Sequence, residues 1–224
     1  MKSLSKYIEV LFIRHAESQS NALWKETGID PWIFDPTITE KGYQQAIQLK
    51  DNISYFVPDL IVSSPLKRCL LTASIVFGET EGDGDSPNSH RLTQPQWIVH
   101  PLAIERLSEA DDIGSLKRDL INEFPCWNWS LVPNDFWWYI PAEQKSSSQS
   151  LIDHQLVFKA NPWSESSQNL ELRISQFLNW LRNQPANKVV VFTHGSYMSR
   201  IVGGNYQVSN CESILKTYSR LGET

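Results

Sequence analysis

The sequence predicts an α/β fold: a three-layer α/β/α sandwich around a mixed, mainly parallel sheet of about six strands. Two observations carry that expectation. The short apolar runs Ile8–Ile13 (IEVLFI), Leu60–Ser63 (LIVS) and Lys188–Phe192 (KVVVF) are continuous rather than alternating, as strands covered on both faces are. Between them lie stretches with apolar residues at helical spacing, and such alternation of strand and helix marks a layered sheet.

The elements follow in order. The first run stops at Arg14-His15. Thr39 then caps a helix carrying Ala46, Leu49, Ile53 and Phe56, with Pro58 as its stop. After Leu60–Ser63, the set Leu66, Leu70, Ala73 and Phe77 recurs at helix intervals and Gly78 ends it. Residues 79–96 are polar and rich in Gly, Pro and Ser, so a loop is expected there, before a third strand at Gln96–His100. From Asp111 to Ser167 the periodicity fails. Prolines and clustered aromatics predict an irregular insertion with short helices at about 111–167, and five of the nine tryptophans fall between Trp127 and Trp163. Leu170, Ile174, Phe177, Leu178 and Leu181 then form an amphipathic stripe. Lys188–Phe192 leads into Thr193-His194-Gly195 and a short helix, and Ser213–Tyr218 reads as a last strand. With no internal repeat and no linker, residues 1–224 read as one domain.

Composition narrows the function classes. Apolar residues make up 41% and charged residues 20%, a globular balance. A net charge of -5 argues against nucleic acid or an anionic membrane as a partner. Three scattered cysteines without a CxxC pair exclude a disulfide framework or zinc ribbon and suit a reducing compartment. The start MKSLSKYIEVLFIRH lacks a signal-peptide cleavage pattern, so the expected setting is cytoplasmic. No sequence feature sets an oligomeric state. The cysteines read as buried packing residues, and His90, His100 and His154 as surface histidines.

The chemistry concentrates at strand ends. LFIRHAES and VVVFTHGS each end a buried run in a histidine, His15 and His194. In open α/β sheets ligands bind at the carboxyl ends of strands, so the two can meet in one crevice. Arg14 lies beside His15, and Arg68 follows the strand LIVS in SSPLKRCLLTA. A guanidinium presents a planar fork of donors that matches phosphate oxygens. Two arginines and two histidines at one sheet edge, in an acidic chain, point to an oxyanion site.

LFIRHAESQSN, DPTITEKG, SSPLKR, a Glu after a strand, and VFTHG stand in the order of the histidine phosphatase superfamily (phosphoglycerate mutase-like). The chain resembles that family over 8–110 and 168–218, while 111–167 matches only loosely. The resemblance implies that His15 takes the phosphoryl group as a phosphohistidine. Arg14, Arg68 and His194 would hold its oxygens, and Asn21 would hydrogen-bond the phosphate. It also implies a small phosphorylated substrate with no metal and no cofactor. The family's proton donor is a carboxylate after a later strand, and VHPLAIERLSEADDIGS offers Glu105 and Glu109. The Pro-x-Leu-x-Glu spacing favours Glu105, although Ala103 stands where leucine is usual; Glu109 remains the alternative. DPTITEKG resembles the family's turn into the first long helix, a structural role.

Three functions share this motif set: a phosphatase, a phosphoglycerate mutase-type transferase, and a non-catalytic phospholigand binder. ERLSEADDIGS is acidic and lacks a mutase's basic anchors, which favours hydrolysis. None of the chemical groups whose loss would mark a mere binder is missing. The insertion is expected to cap the crevice, with Trp137 and Trp138 alternating so that one faces the core and the other the pocket.

Overall fold

The structure is a computed structural model that describes residues 4–78, 95–144, 150–204 and 206–220. The five expected strand segments form its strands: β1 (Tyr7–Arg14), β2 (Leu60–Ser63), β3 (Gln96–Val99), β4 (Lys188–Thr193) and β5 (Ser213–Ser219). The expected count of about six is corrected to five among the described residues. Their order is β3-β2-β4-β1-β5. β1 pairs parallel with β4, and β2 parallel with both β4 and β3, while β5 closes one edge antiparallel to β1. β2, β4 and β1 therefore lie in the interior, which is why their central residues are apolar.

Successive side chains of a strand point to opposite faces, and this sorts the core into two layers. Ile8, Val10 and Phe12 of β1 join Val189 and Val191 of β4 on one face. Leu170, Ile174, Phe177 and Leu181 of helix α6 (Ser167–Arg182) and Tyr197 and Met198 of α7 (Gly195–Ile201) cover it. Leu11, Ile13, Ile61, Val190 and Phe192 face the other way. They meet Ala46 and Leu49 of α2 (Glu40–Asn52) and Cys69, Leu70 and Ala73 of α3 (Lys67–Phe77). The three layers follow directly.

Helix α2 starts where the Thr39 cap places it, the hydroxyl accepting from the Gly42 N–H at 3.0 Å. It ends at Asn52, so Ile53 and Phe56 are buried from the turn beyond the helix rather than from its last turn. Gly42 is needed here: a Cβ at this position would lie 2.3 Å from the Glu17 carbonyl oxygen. Gly42→Ala is expected to destabilise by about 1–3 kcal/mol through overpacking, measurable by denaturant melting.

The segment 79–94, including His90, lies outside the described residues. The insertion packs against the α2/α3 layer. After a 3-10 turn (Ala110–Asp112) it contains α4 (Lys117–Glu123) and α5 (Leu151–Ala160). It joins the edge of β3 by a short parallel bridge at Asn128, which exchanges backbone bonds with Val99 (3.0 Å) and Trp97 (2.9 Å). Trp127 stands edge-on to Trp97 with centroids 4.8 Å apart, so part of the tryptophan cluster seals the sheet edge. Three bland readings need correction. His100 and His154 are buried, not on the surface, because each packs among aromatic rings. Of the cysteines only Cys69 is fully buried, since Cys126 is exposed and Cys211 half-buried.

Candidate active site

The parallel register assembles the site. Arg14 pairs with Thr193, so the next residues, His15 and His194, leave adjacent strands side by side, and the His15 N–H donates to the Thr193 carbonyl at 3.0 Å. Their ring centroids are 5.2 Å apart. Ser63 of β2 pairs with Phe192, so Ser64 emerges beside His194, its Oγ 2.8 Å from His194 Nε2. Ser64, which in the sequence is only part of the SSPLKR motif, thus supplies a ring partner that no local pattern announces.

His15 Nδ1 lies 2.8 Å from the Ala16 carbonyl oxygen. A carbonyl only accepts, so Nδ1 carries the proton and Nε2 keeps its lone pair. Burial, then the charges of Arg68 and Arg14, hold His15 well below the usual histidine range. Burial and Arg68, with smaller contributions from His15 and Arg14, do the same to His194. Both rings are neutral nucleophiles or donors near pH 7. The stability linkage has a definite sign. Below about pH 6.5 the unfolded chain takes up protons on these histidines that the folded chain refuses, so stability falls as pH drops through that value. Urea melts at pH 7.5 and 5.5 are expected to show a lower midpoint at the acid pH. Replacing either histidine by glutamine is expected to shrink the difference.

The guanidiniums flank the rings. Arg14 donates through Nη1 to the Val208 carbonyl at 2.6 Å, and its Nε is buried without a partner among the described residues. Gly195, the first residue of α7, lies against this group: a Cβ there would sit 3.3 Å from Arg14 Nε. Arg68, in the first turn of α3, is fully buried; its Nη atoms donate to the Asp111 carbonyl and to Asp112 Oδ1 (3.0 Å), and its Nε too is unpartnered. Burial works against the Arg68 charge, but Asp111 and Asp112 outweigh it and keep the group a cation. Asp111 and Asp112 were not singled out by sequence. They stand near the end of the VHPLAIERLSEADDIGS segment, where nothing local announces a partner so far back in the chain.

Of the two candidate acids, Glu105 sits at the start of α7. Its carboxylate accepts from the Ser196 N–H (3.1 Å), the Tyr197 N–H (3.2 Å) and its neighbour Arg106 N–H (2.9 Å). Burial lowers the Arg14 pKa, and the Glu105 charge is the largest influence opposing that. Glu109 instead lines a cavity of about 450 Å³ with Arg14, Asn21, Trp24, Lys41 and Asp111. Burial, then Asp111 and Asp30, push its carboxyl up from the ordinary range. In Asn21, Oδ1 accepts from the Ser18 N–H and the Asn210 amide, leaving the NH2 without a partner among the described residues.

The structure does not bring the tryptophan pair to this cavity. Trp137 and Trp138 are both core residues, 6% and 3% exposed, rather than one facing inward and one facing the pocket. Trp137 donates to the Ser115 carbonyl at 2.9 Å and packs flat over Gly114, where a Cβ would overlap its ring. Trp138 packs edge-on against Trp137, Phe136 and His154. Trp137→Ala and Trp138→Ala are each expected to lower stability by about 3–5 kcal/mol. Their relative activity on small and large phosphate esters should stay unchanged; a changed ratio at normal Tm would restore a pocket role.

Residues 10–85 match the sequence profile of the Histidine phosphatase superfamily (branch 1). Phosphoserine phosphatase 1 of Hydrogenobacter thermophilus is 39% identical over 66 residues, which cover 30% of this chain and 29% of that protein. Phosphoglycerate mutase-like protein 1 of Arabidopsis thaliana is 27% identical over 175 residues, covering 74% and 59%. The match thus spans less than two thirds of the length of either relative. Among solved structures, the α-ribazole phosphatase of Shigella flexneri superposes with a TM-score of 0.52 at 17% identity, over 93% of this chain and 89% of that one. The profile match covers residues 10–85, and the likeness to the solved structure extends the same α/β architecture over most of the chain.

Proposed function

We propose that the protein is a metal-independent phosphatase that hydrolyses a small phosphomonoester or phosphoanhydride through a phosphohistidine on His15. The observation that carries this reading is the pair of buried, unpartnered Nε–H donors on Arg14 and Arg68 beside two facing histidines. Buried donors are nearly always satisfied, and a phosphoryl group at this point would satisfy both. That the H. thermophilus relative is by name a phosphoserine phosphatase supports the same class of chemistry.

The chemistry balances with the groups present. His15 Nε2 attacks phosphorus and the bond from phosphorus to the leaving oxygen breaks, while Glu105, in its acid form, gives that oxygen a proton. The arginines, His194 and Asn21 hold the equatorial oxygens, where charge is spread in the transition state. Glu105, now a carboxylate, takes a proton from water as the water oxygen attacks phosphorus. The N–P bond then breaks, freeing inorganic phosphate and neutral His15.

The test is hydrolysis of nitrophenyl phosphate and a panel of phosphorylated metabolites, with and without EDTA. Turnover unaffected by the chelator, with radiolabel from substrate trapped on His15, is expected. Activity lost on EDTA and restored by zinc or magnesium would overturn the metal-free mechanism, and no turnover on any substrate would overturn the phosphatase reading.

A further inference from the structure

We infer that the buried ion pair Arg173–Glu165 is a positioning device for Glu105, an inference that rests on Glu105 being the proton donor of the proposed phosphatase. Arg173, on the inner face of α6, meets Glu165 at two points, Nε to Oε1 at 3.0 Å and Nη2 to Oε2 at 2.6 Å. The side chains are 8% and 0% exposed. The two Nη atoms also donate to three backbone carbonyls in the segment leading into the acid: Leu102 (2.9 Å), Ile104 (2.8 Å) and Glu105 itself (3.2 Å).

Glu165 holds the other side. Its N–H donates to the Leu107 carbonyl at 2.8 Å, and its carbonyl accepts from Arg106 Nε at 2.8 Å. The backbone is therefore gripped both before and after Glu105 by the two members of one ion pair. The same guanidinium lies 5.6 Å from the centre of the Tyr197 ring, and the Tyr197 N–H is one of the donors that aim the Glu105 carboxylate. Backbone and side chain of Glu105 are thus referred to a single group.

Energetics favour a positioning role over a purely structural one. Burying two charges costs several kcal/mol per ion, and a well-packed apolar pair often serves stability as well or better. An apolar pair cannot donate to three carbonyls. Besides this clamp, the segment has its 3-10 turn (Pro101–Ala103) and the Thr193 hydroxyl donating to the Ala103 carbonyl at 2.7 Å. A proton donor displaced by even 1 Å loses much of its effect, and the loss appears only where the leaving group needs the proton.

The experiment compares kcat/KM for propyl phosphate, whose alkoxide must be protonated, and nitrophenyl phosphate, whose phenolate leaves readily. Arg173→Lys keeps the charge but not the fork, and Arg173→Met with Glu165→Leu removes both charges. Each is expected to lose roughly tenfold or more on propyl phosphate. On nitrophenyl phosphate each should stay within about threefold of wild type. Equal losses on both substrates, or none, would overturn the inference. Should Arg173→Lys fail to fold, the double variant decides alone, since it leaves no buried charge unpaired. Its own collapse would show that the pair serves the fold and would equally overturn the role. A wild-type protein inactive on both esters would instead defeat the phosphatase reading, which keeps the two failures distinct.

Discussion

His15→Ala is expected to reduce turnover by at least about 10³-fold on every substrate, because it removes the covalent route and not merely a contact. In the proposed mechanism the attacking lone pair belongs to Nε2, which the Nδ1 bond to the Ala16 carbonyl leaves free. The fold should tolerate the change. It relieves the desolvation that keeps this buried ring neutral, and the backbone bond to Thr193 remains. Circular dichroism and Tm check that point, and single-turnover labelling checks the intermediate. Retention of a tenth of wild-type turnover by a folded His15→Ala protein would end the phosphohistidine mechanism.

The second large effect separates the two carboxylates. Glu105→Gln is expected to lose roughly 10²–10⁴-fold on alkyl phosphates and much less on nitrophenyl phosphate. The Ser196 and Tyr197 N–H groups hold Glu105 at the head of α7, where the proposed mechanism puts the leaving oxygen. Glu109→Gln should act differently. Glu109 lines the cavity beyond Arg14 with Asp111, and removing its charge is expected to change KM across substrates rather than their dependence on leaving group. If Glu109→Gln shows the leaving-group effect and Glu105→Gln does not, the proton donor is Glu109.

Much of this was legible in the chain because the evidence is local. Three continuous apolar runs mark β1, β2 and β4, the strands buried on both faces, and the shorter signals at Gln96 and Ser213 mark the two edge strands. The Thr39 cap and the α6 stripe are written in adjacent residues and appear as read. The insertion was harder. Its tryptophans offered area and an N–H each, and alternation suggested that one of Trp137 and Trp138 would face the pocket. Both went to the core, because the segment runs through a bend over Gly114 rather than an extended strand, and the period-two rule does not apply there.

By itself, then, the sequence determined which residue types stand at strand ends: Arg14 and His15 after one apolar run, His194 after another, and Arg68 at the head of a helix. That is a property of local pattern, since a buried strand must stop where polar groups begin. Only the tertiary structure decided what those groups do to one another. The parallel register of β1 against β4 sets the two histidines 5.2 Å apart. The turn at Ala110–Asp112 brings Asp111 and Asp112 onto Arg68, and α6 carries Arg173 back to the loop that holds Glu105. The physical reason is the range of the interactions. Strand and helix preferences act over a few residues, whereas burial, hydrogen bonding and charge act through space between residues the chain separates by dozens of positions.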